Sequence, residues 1–117
     1  IYTKRYRVKA SQIVKKKKGE QEMPTFAALG TLTEQGLRNL EAMGTRHERA
    51  IERAEERGAK ILGSYALLGQ YDFLVILEAP DAKMATYVLT KEAEGGNVRY
   101  QTMEALSMGE FANLVQD

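Results

Sequence analysis

The chain has 117 residues, of which 44% are apolar and 28% are charged, a composition typical of one globular domain. It contains no cysteine, which excludes disulfides and thiol catalysis, and its single histidine excludes a site built from several histidines. The sequence has neither an apolar run near the ~20 residues that span a bilayer nor a signal-peptide pattern, so we expect a cytoplasmic protein without a membrane partner.

Positive charge is concentrated at the start of the chain. Residues 1–22 hold eight Lys and Arg and two Glu, a net charge of +6. Residues 23–117 hold nine Lys and Arg and fourteen Asp and Glu, a net charge of −5. Like charges in a run repel each other, so we predict a basic N-terminal extension at 1–22 and a globular domain at 23–117. We expect no nucleic-acid partner except through this extension. The alternating residue types from Tyr2 to Val8 indicate a short edge strand as the alternative interpretation of this extension.

The first half of the domain predicts a strand followed by a long helix. Residues 24–32, PTFAALGTL, are small and apolar, as in a buried strand. Thr33 is a suitable N-cap for a helix that ends at Gly58. We expect Gly44 to kink this helix, and the capping-box pattern that begins at Thr45 to restart it.

The second half predicts two strands, a helix, a strand and a short helix. Residues 60–69 and 71–79 form a hairpin around Gly69 and Gln70, and Pro80-Asp81 begins a helix that runs to about residue 94. Residues 97–106 form the last strand, and a second capping box at Ser107 begins the final helix. The resulting β-α-β-β-α-β order predicts an α+β, ferredoxin-like fold with an antiparallel sheet.

The third strand is apolar on both faces. Phe73, Val75 and Leu77 point to one side of the sheet, while Leu74 and Ile76 point to the other. A strand with one solvated face would alternate apolar and polar residues. We therefore predict that a second copy of the sheet covers the free face, which gives a homodimer of the dimeric α/β-barrel type.

Three stretches together resemble the GYD domain family. They are MPTFAALGTLTEQGLRNLE, the hairpin GQYDFLVILEAPD and GGNVRYQTMEAL, which cover roughly residues 23–112. The family is named for the glycine, tyrosine and aspartate that are Gly69, Tyr71 and Asp72 here. The resemblance implies a dimeric α/β barrel and leaves the function open, since the family is largely uncharacterised.

The same hairpin is similar to the effector-binding domain of the leucine-responsive, feast/famine transcription regulators. The shared features are the Gly-x-Tyr-Asp turn at 69–72, the acidic-Pro-Asp turn at 78–81 and the Gly-Val-Arg start of the last strand at 96–99. Asn97 departs from that pattern, because it separates Gly96 from Val98. No helix-turn-helix module precedes the domain, so this resemblance implies an effector-type domain without a DNA reader.

The hairpin and the last strand supply the first candidate site. Gly69 permits the turn, and Asp72 either bonds nearby backbone N–H groups or receives an ammonium or hydroxyl group of a ligand. Tyr71 offers an aromatic wall, and Arg99 either receives a carboxylate or is a solvated or interface arginine. Together Tyr71, Asp72 and Arg99 suit a zwitterion such as an amino acid, which the regulator resemblance also implies.

His47 is the remaining candidate, and it falls on the apolar stripe of the first helix between Met43 and Ile51. It is either a hydrogen-bonded core or rim histidine or a general acid/base. Two functions stay open: a dimeric module for metabolite binding or assembly, and a cofactor-independent enzyme of the small monooxygenase or isomerase type that uses His47, Tyr65 and Tyr71. The sequence lacks a phosphate loop and zinc spacing, so we expect no cofactor or metal.

Overall fold

The computed structural model describes residues 23–116, so the predictions for residues 1–22 lie outside it. Residues 23–104 form one compact unit, and the C-terminal helix belongs to a separate unit. That residues 23–117 behave as a single domain stays a prediction. None of the helices in the described part of the chain is long and apolar enough to span a membrane.

Four strands form one sheet in the order β2-β3-β1-β4. They are β1 (Thr25–Leu32), β2 (Lys60–Ala66), β3 (Phe73–Glu78) and β4 (Val98–Ala105). β3 lies antiparallel between β1 and β2, with Ala27 opposite Ile76 and Tyr65 opposite Leu74. A bulge between Ile61 and Gly63 shifts the register of β2.

Residues 23–116 contain four α-helices, three of which begin at a side-chain cap. They are α1 (Glu34–Arg38), α2 (Met43–Glu56), α3 (Ala82–Ala93) and α4 (Met108–Leu114), and a 3-10 turn (Leu40–Ala42) separates the first two. The side chains of Thr33, Asp81 and Ser107 accept hydrogen bonds from the backbone N–H groups of Gly36, Met84 and Glu110. Each bond satisfies a donor that the first helical turn leaves free.

The predicted kink at Gly44 and restart at Thr45 are wrong. The helix breaks earlier, at Asn39, and α2 runs through both Gly44 and Thr45. The Asn39 backbone leaves helical geometry at φ −117° and ψ 30°, and its side-chain Nδ2 donates to Asn97 Oδ1 at 3.2 Å. A contact with a distant turn thus fixes the break, which local helix propensity does not reveal.

The core lies between one face of the sheet and the helices α2 and α3. It is formed by Phe26, Ala28, Ala54, Ala59, Leu77, Ala79, Ala85, Val88 and Leu89. Leu77 and Val88 are the largest fully buried side chains. Element order and strand order together give the split β-α-β, ferredoxin-like arrangement, so the predicted α+β fold is confirmed.

The opposite face of the sheet has an apolar surface, which we call the open face. It carries Ala27, Leu29, Tyr65, Leu74, Ile76 and Met103, because these residues alternate with the core-facing ones. Tyr65 is 57% exposed and Met103 is 40% exposed. β3 therefore presents apolar side chains on both faces, as its sequence predicts.

Candidate functional site

A cavity of about 310 Å³ lies between the sheet and the two long helices, within residues 23–104. Its walls come from α2, β2, β3, α3 and β4, together with Leu32 at the end of β1 and Asn97. Most of the lining is aliphatic or aromatic, including Ile61, Phe73, Val75, Leu89 and Val98. Its volume is at the lower end of the ~300–1,000 Å³ range of small-molecule pockets.

The polar part of this cavity is built around Glu92 near the end of α3. Glu92 accepts a hydrogen bond from the Arg53 guanidinium of α2, and the two side chains form an ion pair. Only 15% of the Glu92 side chain is exposed. Burial raises the pKa of Glu92, while Arg53, Arg46 and His47 act in the opposite direction. A buried carboxylate with one matched cation thus faces an apolar space.

Tyr100 of β4 lines the same cavity and packs against the core. Burial, with a smaller contribution from the charge of Glu92, raises the pKa of Tyr100 to about 12. Its hydroxyl therefore stays protonated at neutral pH and can donate a hydrogen bond. The ring of Tyr100 lies against β1, since a Cβ at Gly30 would be 2.9 Å from its Cε1. Gly30 thus leaves the space that the tyrosine ring occupies.

Arg46 and His47 bring the first turn of α2 to the cavity wall. Arg46 is half-buried, its Nη1 donates to the carbonyl oxygen of Asn39 at 2.9 Å, and its Nη2 lies 3.9 Å from the Met43 sulfur. His47 is exposed, at the solvent side of the wall. It is thus not a core histidine. Within residues 23–116, no group of three His, Asp or Glu side chains is suited to a metal ion.

The cavity rim is held by bonds between the start of α1 and the turn before β4. Thr33 N donates to Asn97 O at 3.1 Å, and Thr33 Oγ1 donates to Gly96 O at 2.6 Å. Gln35 Nε2 donates to Gly95 O at 2.8 Å. Asn97, the residue that departs from the regulator pattern, therefore has a structural role here: its carbonyl and side-chain oxygens both accept bonds from this segment.

Asp72 and Tyr71 lie away from the cavity lining. Asp72 Oδ2 accepts a hydrogen bond from Leu32 N at 2.8 Å, and the Asp72 N–H donates to Gly30 O at 2.8 Å. The carboxylate thus binds the end of β1, forty residues away in the chain, and not a neighbour in its own turn. The hydroxyl of Tyr71 donates to Gln101 Oε1 at 3.3 Å.

Arg99 is exposed and lies on the open face, since it alternates with the core-facing Val98 and Tyr100. It shares that face with Gln101, the partner of Tyr71, so Tyr71 and Arg99 approach the same region of the sheet. Gly69 has a φ of 122°, a conformation that favours glycine.

The remaining predicted groups, His47 and Tyr65, both border the cavity. The ring of Tyr65, however, lies over Gly63 on the open face, since a Cβ at Gly63 would be 3.0 Å from the Tyr65 hydroxyl oxygen. The predicted acid/base groups are therefore divided between the two faces of the sheet, and His47 is separated from the Tyr71 hydroxyl. The ligand roles of Tyr71, Asp72, Arg99 and His47 stay predictions.

Glu92 and Arg46 are the cavity residues that sequence reasoning missed. A signal for Glu92 existed, because it continues the buried stripe of Ala85, Val88 and Leu89 at helical spacing. A carboxylate on an apolar helix face needs a partner. No comparable signal marks Arg46, since it lies in a helix whose surface carries many alternating arginines and glutamates.

The sequence profile of the GYD domain matches residues 26–115. The chain belongs to the GYD domain family. Apart from Thr25, the match includes all four strands, and it also covers the cavity and the C-terminal helix.

A curated relative from Thermus thermophilus is 34% identical to this GYD protein over 90 residues. The matched region covers 76% of this chain and 95% of the relative. That protein is described as a glutamine synthetase and cystathionine beta-lyase binding protein. The similarity therefore extends over essentially the whole relative.

Proposed function

We propose that this GYD protein is a homodimeric binding module that docks on a partner enzyme. The observation that carries the proposal is the open face, on which Leu74, Ile76 and the exposed Tyr65 and Met103 form an apolar surface. Covering such a surface contributes about 25 cal/mol for each Å² of apolar area removed from water. A second copy of the same sheet, related by a two-fold axis, covers it with a complementary shape.

The relative supports the choice of partner. It is named for binding glutamine synthetase and cystathionine beta-lyase, and it aligns with this chain over 95% of its own length. We therefore propose that the partner is one of these two enzymes. The net negative charge of residues 23–117 and the mixed charges on the outer face of α2 give a polar surface for such docking, separate from the apolar open face.

The test is sedimentation velocity of mixtures at micromolar concentration. The protein should co-sediment with glutamine synthetase or cystathionine beta-lyase from its own organism, and not with an unrelated oligomeric enzyme of similar size. Ile76→Asp should weaken dimer formation, whereas Thr86→Asp on the exposed face of α3 adds the same charge elsewhere and should not. If neither enzyme co-sediments, the docking proposal is refuted.

A second candidate is a cofactor-independent enzyme. It is favoured by the grouping of His47, Glu92 and Tyr100, three side chains that can exchange protons, around one largely apolar cavity. The two functions differ in what happens to a bound molecule. Mass spectrometry of a ligand recovered after incubation should show it unchanged for a binding module, and chemically altered for an enzyme.

A further inference from the structure

The polar end of the cavity carries more positive than negative charge. The negative charge of Glu92 is matched by Arg53, with which it forms an ion pair. Arg46 lines the cavity, but among residues 23–116 the ion pairs are Arg53–Glu92 and Lys91–Glu94, so Arg46 has no carboxylate partner there. A half-buried guanidinium without a matched anion favours binding of a negatively charged group.

The shape of the cavity limits what that group is attached to. Apart from Arg46, His47 and Glu92 and the polar side chains of Ser64, Tyr65, Asn97 and Tyr100, the lining is apolar, and its Ile61, Phe73 and Val75 walls are partly buried and offer no charged atom. Leu89 and Val98 close the same space. A strongly hydrated molecule such as a free phosphate or a sugar would lose water there without replacement. An apolar body is therefore required next to the anionic end.

We propose that the cavity binds a small monocarboxylic acid with an apolar body, whose carboxylate pairs with Arg46 and whose body packs on Phe73, Val75 and Val98. One arginine without an ion-pair partner among residues 23–116 matches a single negative charge, and its planar guanidinium fits the two oxygens of a carboxylate. His47 and the Tyr100 hydroxyl line the same cavity and add hydrogen-bond donors.

The neighbouring Glu92 does not oppose an anionic ligand. Its charge is compensated by Arg53, with which it forms an ion pair, and this lowers the cost of a second carboxylate nearby. A cationic ligand would instead compete with Arg53 for Glu92 and would face Arg46 directly. The charge arrangement thus distinguishes between ligands that have the same carbon skeleton.

The proposal is independent of the docking function. The cavity lies on the helix-covered side of the sheet, whereas the open face proposed for dimer formation is on the other side. Each can fail while the other holds, because one is tested with small molecules and the other with a protein partner.

The first test is isothermal titration calorimetry of the full chain with three probes of one carbon skeleton: isocaproate, isocaproamide and isohexylamine. We expect isocaproate to bind, and the neutral amide and the cationic amine to bind about tenfold more weakly or worse, since both lack the charge that Arg46 recognises. The proposal is overturned if the amine binds as tightly as the acid, or if isocaproate does not bind.

The second test uses variants. Arg46→Gln should weaken isocaproate binding about tenfold or more, and Arg46→Lys should retain part of the affinity. Arg49→Gln is the matched control, because Arg49 is exposed on the same helix and does not line the cavity. Equal affinities for Arg46→Gln and Arg49→Gln would contradict the assigned contact.

A third variant covers the case in which Arg46→Gln disturbs folding through its bond to Asn39. Gly44 lines the cavity, and a Cβ built there meets no atom within 4 Å. Gly44→Leu should therefore fill part of the cavity without a clash and abolish isocaproate binding, with an unchanged circular dichroism spectrum. If a folded Gly44→Leu variant binds isocaproate as well as the unmodified chain, the ligand is not in this cavity.

Discussion

Gly36 in α1 and Gly44 in α2 should respond in opposite ways to substitution by alanine, the first by losing stability and the second by gaining it. A Cβ at Gly36 would lie 2.0 Å from the carbonyl oxygen and 2.9 Å from the carbonyl carbon of Asn97. Both are backbone atoms, so α1 and the turn before β4 would have to separate by about 1 Å, as in an overpacked core. That movement also strains the bond from Thr33 N to Asn97 O.

The expected cost of Gly36→Ala follows from these two terms. Overpacking of a well-packed site costs about 1–3 kcal/mol, and loss of one hydrogen bond costs about 1 kcal/mol. Together they should lower the free energy of unfolding by roughly 2–4 kcal/mol. Gly44→Ala has no such clash, because nothing lies within 4 Å of its Cβ position. It should raise stability by up to about 1 kcal/mol, because alanine is the better helix former.

Equilibrium urea unfolding measures both changes as shifts in the transition midpoint at constant slope. The two variants differ from the unmodified chain by one methyl group each, so the comparison isolates the environment of the methyl group. A stabilised or unchanged Gly36→Ala variant would refute the close approach of α1 to Asn97. A destabilised Gly44→Ala variant would refute the open space at the start of α2.

Three further predictions concern the hairpin, the N-terminal extension and Tyr100. Asp72→Asn should lower the free energy of unfolding by about 1 kcal/mol or less, because Asn keeps an acceptor for Leu32 N. If Asp72 also binds a ligand ammonium, one of the twenty amino acids should raise the melting temperature of the unmodified chain but not that of the variant. No change in melting temperature with any amino acid would contradict the zwitterion site. Deleting residues 1–22 should leave the melting temperature nearly unchanged and remove any salt-sensitive nucleic-acid binding, and a sharp fall in melting temperature would instead favour the edge strand. Burial raises the pKa of Tyr100 in the folded chain from its ordinary 10.0 to about 12, so the contribution of this group to stability is complete below about pH 10 and is lost as the pH rises toward 12. Tyr100→Phe should therefore lose less stability than the unmodified chain across that interval in alkaline unfolding, and equal losses would contradict the raised pKa.

Local patterns were sufficient to predict most of the fold. The apolar run of β3, the caps at Thr33 and Ser107 and the helix start at Pro80-Asp81 predicted the order of strands and helices. These signals work because each depends on neighbours within one helical turn or on the two-residue repeat of a strand.

Features that depend on distant contacts were not predictable in this way. The helix break lies at Asn39 because of the turn that contains Asn97, and the carboxylate of Asp72 binds the backbone of Leu32. Both contacts join residues that are about forty or more positions apart, and a single sequence carries no local record of them. The same holds for Arg53 and Glu92, which meet only when α2 and α3 pack side by side.

The most direct measurement of the central claim is the mass of the protein in solution, by sedimentation equilibrium at micromolar concentration. If the open face pairs with a second copy, the mass should be twice the 13.1 kDa of the chain, and Ile76→Asp should yield either monomer or unfolded protein. A stable, folded monomer of 13.1 kDa for the unmodified chain would contradict the dimer, and with it the proposed two-fold binding module.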